Sequence, residues 1–131
     1  MGNQPGYVKW GRIGALALAW LYAACVAVQV FLAGLATFDP GDGPAHWADH
    51  VNFGQWIGTL TVLLLIFAIT GRAPLIVIAF SALVFLLYGM QYPFANTDAS
   101  NMAALHAVNA LVMFWLSMNI GSRILAVVRG R

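Results

Sequence analysis

Four long apolar segments, separated by short polar connections, are the feature that most constrains what this chain can fold into. Each is close to or above the roughly 20 residues that an α-helix needs to cross a bilayer. Because the connections are short, successive helices should be antiparallel neighbours. The sequence therefore predicts an all-α, transmembrane four-helix bundle with up-down-up-down topology, formed as a single domain by residues 1–131. The segments run from about Gly11 to Phe38, Ala45 to Thr70, Pro74 to Tyr92 and Met102 to Gly121.

The charged residues are separated by sign along this threading. The six basic residues lie near the termini or between the second and third segments: Lys9, Arg12, Arg72, Arg123, Arg129 and Arg131. The four acidic residues lie in the other two connections: Asp39, Asp42, Asp49 and Asp98. An excess of Lys and Arg on one side is typical of cytoplasmic loops. We therefore expect both termini in the cytoplasm and both acidic connections in the periplasm.

The composition agrees with a membrane location. The chain is 62% hydrophobic and only 8% charged, and its mean hydropathy is +0.83. A soluble domain of this size would need more polar surface. The net charge of +2 comes from the basic fringe beside the membrane, so we expect membrane lipid and no nucleic acid as a partner.

The start of the first segment resembles a secretory signal. Lys9 and Arg12 precede the apolar run, and the stretch ending at Cys25 is similar to a lipoprotein cleavage box. However, Tyr22 occupies a position that such a box gives to a small aliphatic residue, and the run continues to Phe38. We expect Cys25 to be a core residue, with a lipidated cysteine as the alternative.

Several residues predict where the helices begin and end. The stretch 39–44 is rich in Pro and Gly and predicts a turn. Pro93 is expected to end the third helix, and Ser100 or Asn101 to cap the fourth. Residues Ser122–Arg131 are expected to form a basic amphipathic tail on the cytoplasmic surface.

Two histidines are candidates for haem ligands. His50 and His106 lie at similar depths near the starts of segments two and four, which are parallel and diagonal in the predicted bundle. A b-type haem needs two such axial imidazoles. Gly54 and Gly58 follow His50 on the same helical stripe and would leave space for a porphyrin. The sequence predicts one haem b between His50 and His106 near the outer face.

The same histidines allow two other interpretations. They could bind only backbone or amide groups, as polar residues often do between membrane helices. In that case Gln29 and Asn109, at similar depths, are expected to contact each other.

The other interpretation is a copper site. His46 lies one helical turn before His50, and Met102 lies one turn before His106. Four ligands of imidazole and thioether type would suit Cu(I).

Two short stretches carry a resemblance to a known family. The stretches HVNFG at residues 50–54 and LHAVNA at residues 105–110 resemble a family of short bacterial four-helix integral membrane proteins of unsettled function. The resemblance implies a compact four-crossing fold in the bacterial inner membrane and marks both histidines. The diagonal pair is also similar to the haem arrangement of membrane b-type cytochromes, although one pair limits this chain to one haem.

These observations lead to one expected function and two alternatives. We expect electron transfer, or a subunit role in a respiratory or photosynthetic membrane complex, with quinone or a periplasmic redox carrier as a partner. The alternatives are a cofactor-free accessory subunit of a larger membrane complex and a copper-binding protein on the periplasmic face. Catalysis on an organic substrate has little support, because no serine or cysteine has a histidine base at recognisable spacing.

Overall fold

The computed structural model describes residues 4–130 and contains four helices in that range. They are α1 (Gly6–Phe38), α2 (Gly43–Thr70), α3 (Leu75–Ala95) and α4 (Ser100–Val128). All four are long and apolar enough to cross a membrane. The all-α transmembrane four-helix fold predicted from the sequence is therefore confirmed.

The helices are arranged as a ring. Within the described residues, α1 packs against α2 and α4, and α3 packs against the same two helices. Consequently α2 and α4 lie diagonally across the bundle, as do α1 and α3. Residues near the starts of α2 and α4 therefore reach the same end of the bundle, on opposite sides of its axis.

Two helix starts differ from the sequence expectation. Helix α1 begins after Pro5, about one turn earlier than expected. Helix α2 begins at Gly43, and the backbone N–H groups of Ala45 and His46 both donate to the carbonyl oxygen of Asp42. His46 is therefore helical and lies in the first turn of α2.

The expectation that Pro93 ends the third helix is wrong. Pro93 lies inside the last turn of α3, which continues to Ala95. Proline removes one backbone donor and crowds the carbonyl one turn earlier, and near a helix end few later hydrogen bonds are affected. Asn96 closes the helix, since its backbone N–H and its side-chain amide both donate to the Tyr92 carbonyl, at 3.1 and 2.9 Å.

The fourth helix also differs at both ends. Its N-cap position is Ala99, without a side-chain hydrogen bond, rather than Ser100 or Asn101. At the other end, the expected separate tail is part of α4 as far as Val128. Arg131, the last residue of that tail, lies outside the described residues.

The backbones of α1 and α2 touch where the start of α1 meets the end of α2. A Cβ atom added to Gly11 would meet the backbone of Thr70 and Gly71, and one added to Gly71 would meet the backbone of Gly11 and Arg12. Arg12 Nε donates to the Gly71 carbonyl at 3.0 Å. These glycines allow the two backbones to touch, which small residues commonly permit in membrane bundles.

The two ends of the bundle have opposite charge. The basic end holds the described chain termini and the α2–α3 turn, where the side chain of Arg72 donates to the Tyr7 hydroxyl at 2.8 Å. The acidic end holds the α1–α2 and α3–α4 connections. The basic end carries Lys9, Arg12, Arg72, Arg123 and Arg129, and the acidic end carries Asp39, Asp42, Asp49 and Asp98.

Candidate functional site at the acidic end

His50 and His106 meet near the acidic end of the bundle. Their ring centroids are 6.1 Å apart, and the ring planes are inclined at 59°. They come from the diagonal helices α2 and α4, and both side chains are half-buried. The structure thus brings together the two residues that the sequence analysis singled out as a pair.

Each imidazole is oriented by a backbone carbonyl of the preceding helix. His50 Nδ1 lies 3.0 Å from the carbonyl oxygen of Gln29, and His106 Nδ1 lies 3.2 Å from that of Gln91. A carbonyl oxygen only accepts hydrogen bonds, so Nδ1 is the protonated donor and a neutral ring keeps its lone pair on Nε2. Metal-binding histidines are usually held in this way by the second ring nitrogen.

This arrangement occurs twice in the molecule. In the hairpin α1–α2, Gln29 holds His50; in the hairpin α3–α4, Gln91 holds His106. The sequence analysis missed Gln91. A glutamine in the last part of each odd-numbered helix, followed by a histidine early in the next helix, is the signal that could have identified it.

The side chains of both glutamines are unusual. The Oε1 atoms of Gln29 and Gln91 are buried and lack a hydrogen-bond partner among residues 4–130. Gln29 is expected from the sequence to contact Asn109. Instead, the side-chain amide of Asn109 donates to the backbone carbonyl of Leu87 at 2.7 Å. Two buried amide acceptors therefore remain unsatisfied on the residues whose backbone carbonyls orient the histidines.

The glycines after His50 are covered by other side chains. A Cβ atom added to Gly54 would overlap the Gln29 amide nitrogen, and one added to Gly58 would overlap the Tyr88 ring. The Tyr88 hydroxyl also donates to the Gly54 carbonyl at 3.1 Å. A porphyrin would fit beside Gly54 and Gly58 only if the Gln29 and Tyr88 side chains moved.

Of the four predicted copper ligands, the structure brings together His50 and His106. His46 Nε2 lies 3.4 Å from Asp39 Oδ2, and the Met102 side chain is 43% exposed. In the described part of the chain, no group of three or more His, Cys, Asp or Glu residues is placed to hold a metal ion. The structure therefore associates His46 with the α1–α2 connection.

Asp39 organises that connection. Its Oδ1 accepts hydrogen bonds from the backbone N–H groups of Gly41, at 2.9 Å, and Asp42, at 3.3 Å. These bonds favour the ionised carboxylate and lower the pKa of Asp39, with a further contribution from His46. Asp39 thereby shapes the turn that leads into α2 and toward His50.

Comparison with known protein families identifies the family of this chain. A family model described as "Family of unknown function (DUF6220)" matches residues 29–98. The match includes Gln29, His50 and Gln91 and ends before His106. No curated protein and no solved structure matches the chain significantly.

Proposed function

We propose the function of this chain, which belongs to the DUF6220 family, a family of unknown function, from the site itself. It is a small integral membrane protein that holds one metal centre between His50 and His106 and serves electron transfer. One observation carries the proposal. The two imidazole rings lie 6.1 Å apart between the diagonal helices, and Nδ1 of each donates to a backbone carbonyl, which leaves Nε2 as the nitrogen that would bind a metal.

The form of the centre that the sequence predicts is a b-type haem. Two axial imidazoles on diagonal helices support it, and a bound haem would supply reversible one-electron chemistry. The covered glycines weigh against it, since both Gln29 and Tyr88 would have to leave their positions beside Gly54 and Gly58. A bare metal ion is the second candidate, because it needs no such space.

We infer a location in the bacterial inner membrane from the resemblance of the sequence, and the charge distribution supports one orientation there. Basic residues favour the cytoplasmic side, which would put the acidic end and the histidine pair near the periplasmic surface. A centre at that depth could exchange electrons with quinone or a periplasmic carrier. One centre near one surface would not carry electrons across the bilayer.

A cofactor-free accessory subunit is the alternative from another class. The outer surfaces of all four helices expose large apolar side chains, including Phe31, Trp56, Leu86 and Trp115. Such surfaces suit lipid and would equally suit neighbouring helices of a larger membrane complex. In this case the histidines would serve only to join helices.

The test is the metal and haem content of the purified protein and its variants. We expect one centre per chain in the wild type, and none in His50→Ala or His106→Ala. His46→Ala is the matched control, because His46 lies one turn from His50 but is directed to Asp39. Wild-type metal and haem content in either His50→Ala or His106→Ala would contradict the proposal.

A further inference from the structure

We propose that the centre is a single cupric ion, bound by Nε2 of His50 and His106 and by Oε1 of Gln29 and Gln91. The inference rests on the proposed function, in which the two histidines hold a metal centre, and names the metal and two further ligands. It differs from the copper site expected from the sequence, since it uses neither His46 nor Met102.

The four ligands come from the four helices, one from each. The histidines lie on the diagonal formed by α2 and α4, and the glutamines lie on the diagonal formed by α1 and α3. With metal–nitrogen bonds of about 2.0 Å, two imidazoles on opposite sides of one ion have ring centres roughly 6 Å apart, and two in a tetrahedral site roughly 5 Å. The observed 6.1 Å between the ring centroids is short enough for both imidazoles to bind one ion.

The glutamine side chains supply the second part of the argument. A buried carbonyl oxygen without a donor is rare in folded proteins and calls for an unseen ion or water. Here two such oxygens occur, on Gln29 and Gln91, whose backbone carbonyls already orient the two histidines. One cation between the helices would satisfy both oxygens and both free Nε2 atoms together.

The charge around the site favours a cation. All four ligands are neutral, so the ion's charge must be balanced by the surroundings. The four aspartates of the chain lie at this end, and Asp49 directly precedes His50. The basic residues that the structure describes lie at the opposite end of the bundle. The acidic end therefore attracts cations and would favour one at the histidine pair.

The ligand types and their arrangement select the metal. Two nitrogens and two oxygens in opposed pairs form the square-planar or tetragonal set that Cu²⁺ or Ni²⁺ prefers, and Cu²⁺ binds such ligands more tightly than the other divalent first-row ions. Zinc prefers a tetrahedral site, whereas here each pair of like ligands comes from helices on opposite sides of the bundle. A porphyrin is not required.

The experiment uses the full chain, purified in detergent and stripped of metal with a chelator, and titrates it with Cu²⁺. We expect one Cu²⁺ per chain and an axial electron paramagnetic resonance spectrum with hyperfine splitting from two imidazole nitrogens. Gln29→Leu and Gln91→Leu should each weaken Cu²⁺ binding about tenfold or more. Gln55→Leu, a matched change at an exposed position of α2, should leave binding unchanged.

A second pair of variants distinguishes the loss of a ligand from misfolding of the protein. Gln29→Glu and Gln91→Glu keep an oxygen ligand and add a negative charge, so they should bind Cu²⁺ at least as tightly as the wild type. Undiminished Cu²⁺ binding in both leucine variants would overturn the inference and indicate that water satisfies the amides. A b-type haem spectrum in the wild type would also overturn it, while the proposed function would stand. Wild-type Cu²⁺ binding in His50→Ala would overturn both.

Discussion

The side-chain amide of Asn109 in α4 donates a hydrogen bond of 2.7 Å to the backbone carbonyl of Leu87 in α3. Hydrogen bonds between membrane helices contribute about 0.5 to 2 kcal/mol. Asn109→Leu should therefore lower the free energy of unfolding by about this amount in a detergent unfolding assay. Asn119→Leu is the control, because the Asn119 amide donates within its own helix, to Trp115. Equal stability of the two variants would show that the α3–α4 bond contributes little.

The contact between Gly11 and Gly71 should tolerate no added methyl group. A Cβ at Gly11 would overlap the backbone of Gly71, which cannot move aside as a side chain can. We expect Gly11→Ala to cost about 1–3 kcal/mol by overpacking. Gly34→Ala, in the same helix but facing open space, should be neutral or stabilising by up to about 1 kcal/mol, because alanine favours helix. Similar loss of stability in both would contradict the close backbone contact.

The packing of the Tyr88 ring against Gly58 can be tested with a double-mutant cycle. Gly58→Leu should destabilise the bundle by about 1–3 kcal/mol, because the new side chain occupies the position of the Tyr88 ring. Tyr88→Ala should remove most of that cost when the two changes are combined, giving a coupling energy within the range seen for residues in contact. Additive effects on thermal stability would mean that the two residues do not share this space.

The lowered pKa of Asp39 predicts the acid sensitivity of the α1–α2 connection. Its carboxylate contributes stability at pH values above the unfolded pKa of about 3.9, and this contribution is lost as the pH falls through the lower pKa of the folded state. Asp39→Ala should therefore be less stable than the wild type at pH 6, with a smaller difference at the lowest pH that the fold survives. Thermal unfolding across this range tests it, with Asp98→Ala as the control. A constant difference down to the lowest pH would argue against the ionised carboxylate.

The orientation in the membrane can be tested by cysteine labelling in a Cys25→Ser background. Asp42→Cys lies at the acidic end and Ser122→Cys at the basic end, and both changes keep every basic residue in place. We expect an impermeant reagent to label position 42 in intact cells, and position 122 only after the membrane is opened. The reverse pattern would place the basic end outside.

The sequence predicted the helix ends where local chemistry decides them. Phe38 and Thr70 end α1 and α2 as expected, because polar, glycine and proline residues follow them. Pro93 was misjudged because proline near the end of a helix disturbs few later hydrogen bonds. The similar depth of His50 and His106 in the bundle was also predictable, because it depends only on how far each residue lies from the start of its helix.

The rotation of each helix about its axis could not be predicted in the same way. A soluble helix marks its buried face with an apolar stripe, but a membrane helix is apolar toward both lipid and core. The sequence therefore did not indicate that Tyr88 covers Gly58 or that Gln91 holds His106. It also did not indicate that His46 contacts Asp39, because that contact depends on the path of the connecting turn.

The division of the histidine site between two hairpins has a consequence for biogenesis. The bond between Gln29 and His50 forms within the first hairpin, and the bond between Gln91 and His106 within the second. Each half can thus be complete as soon as its hairpin is inserted, but the rings face each other only once the hairpins dock. An ion held by both rings would act as a cross-link that stabilises the docked state by mass action, so metal supply would influence how much of the newly made protein reaches its assembled form.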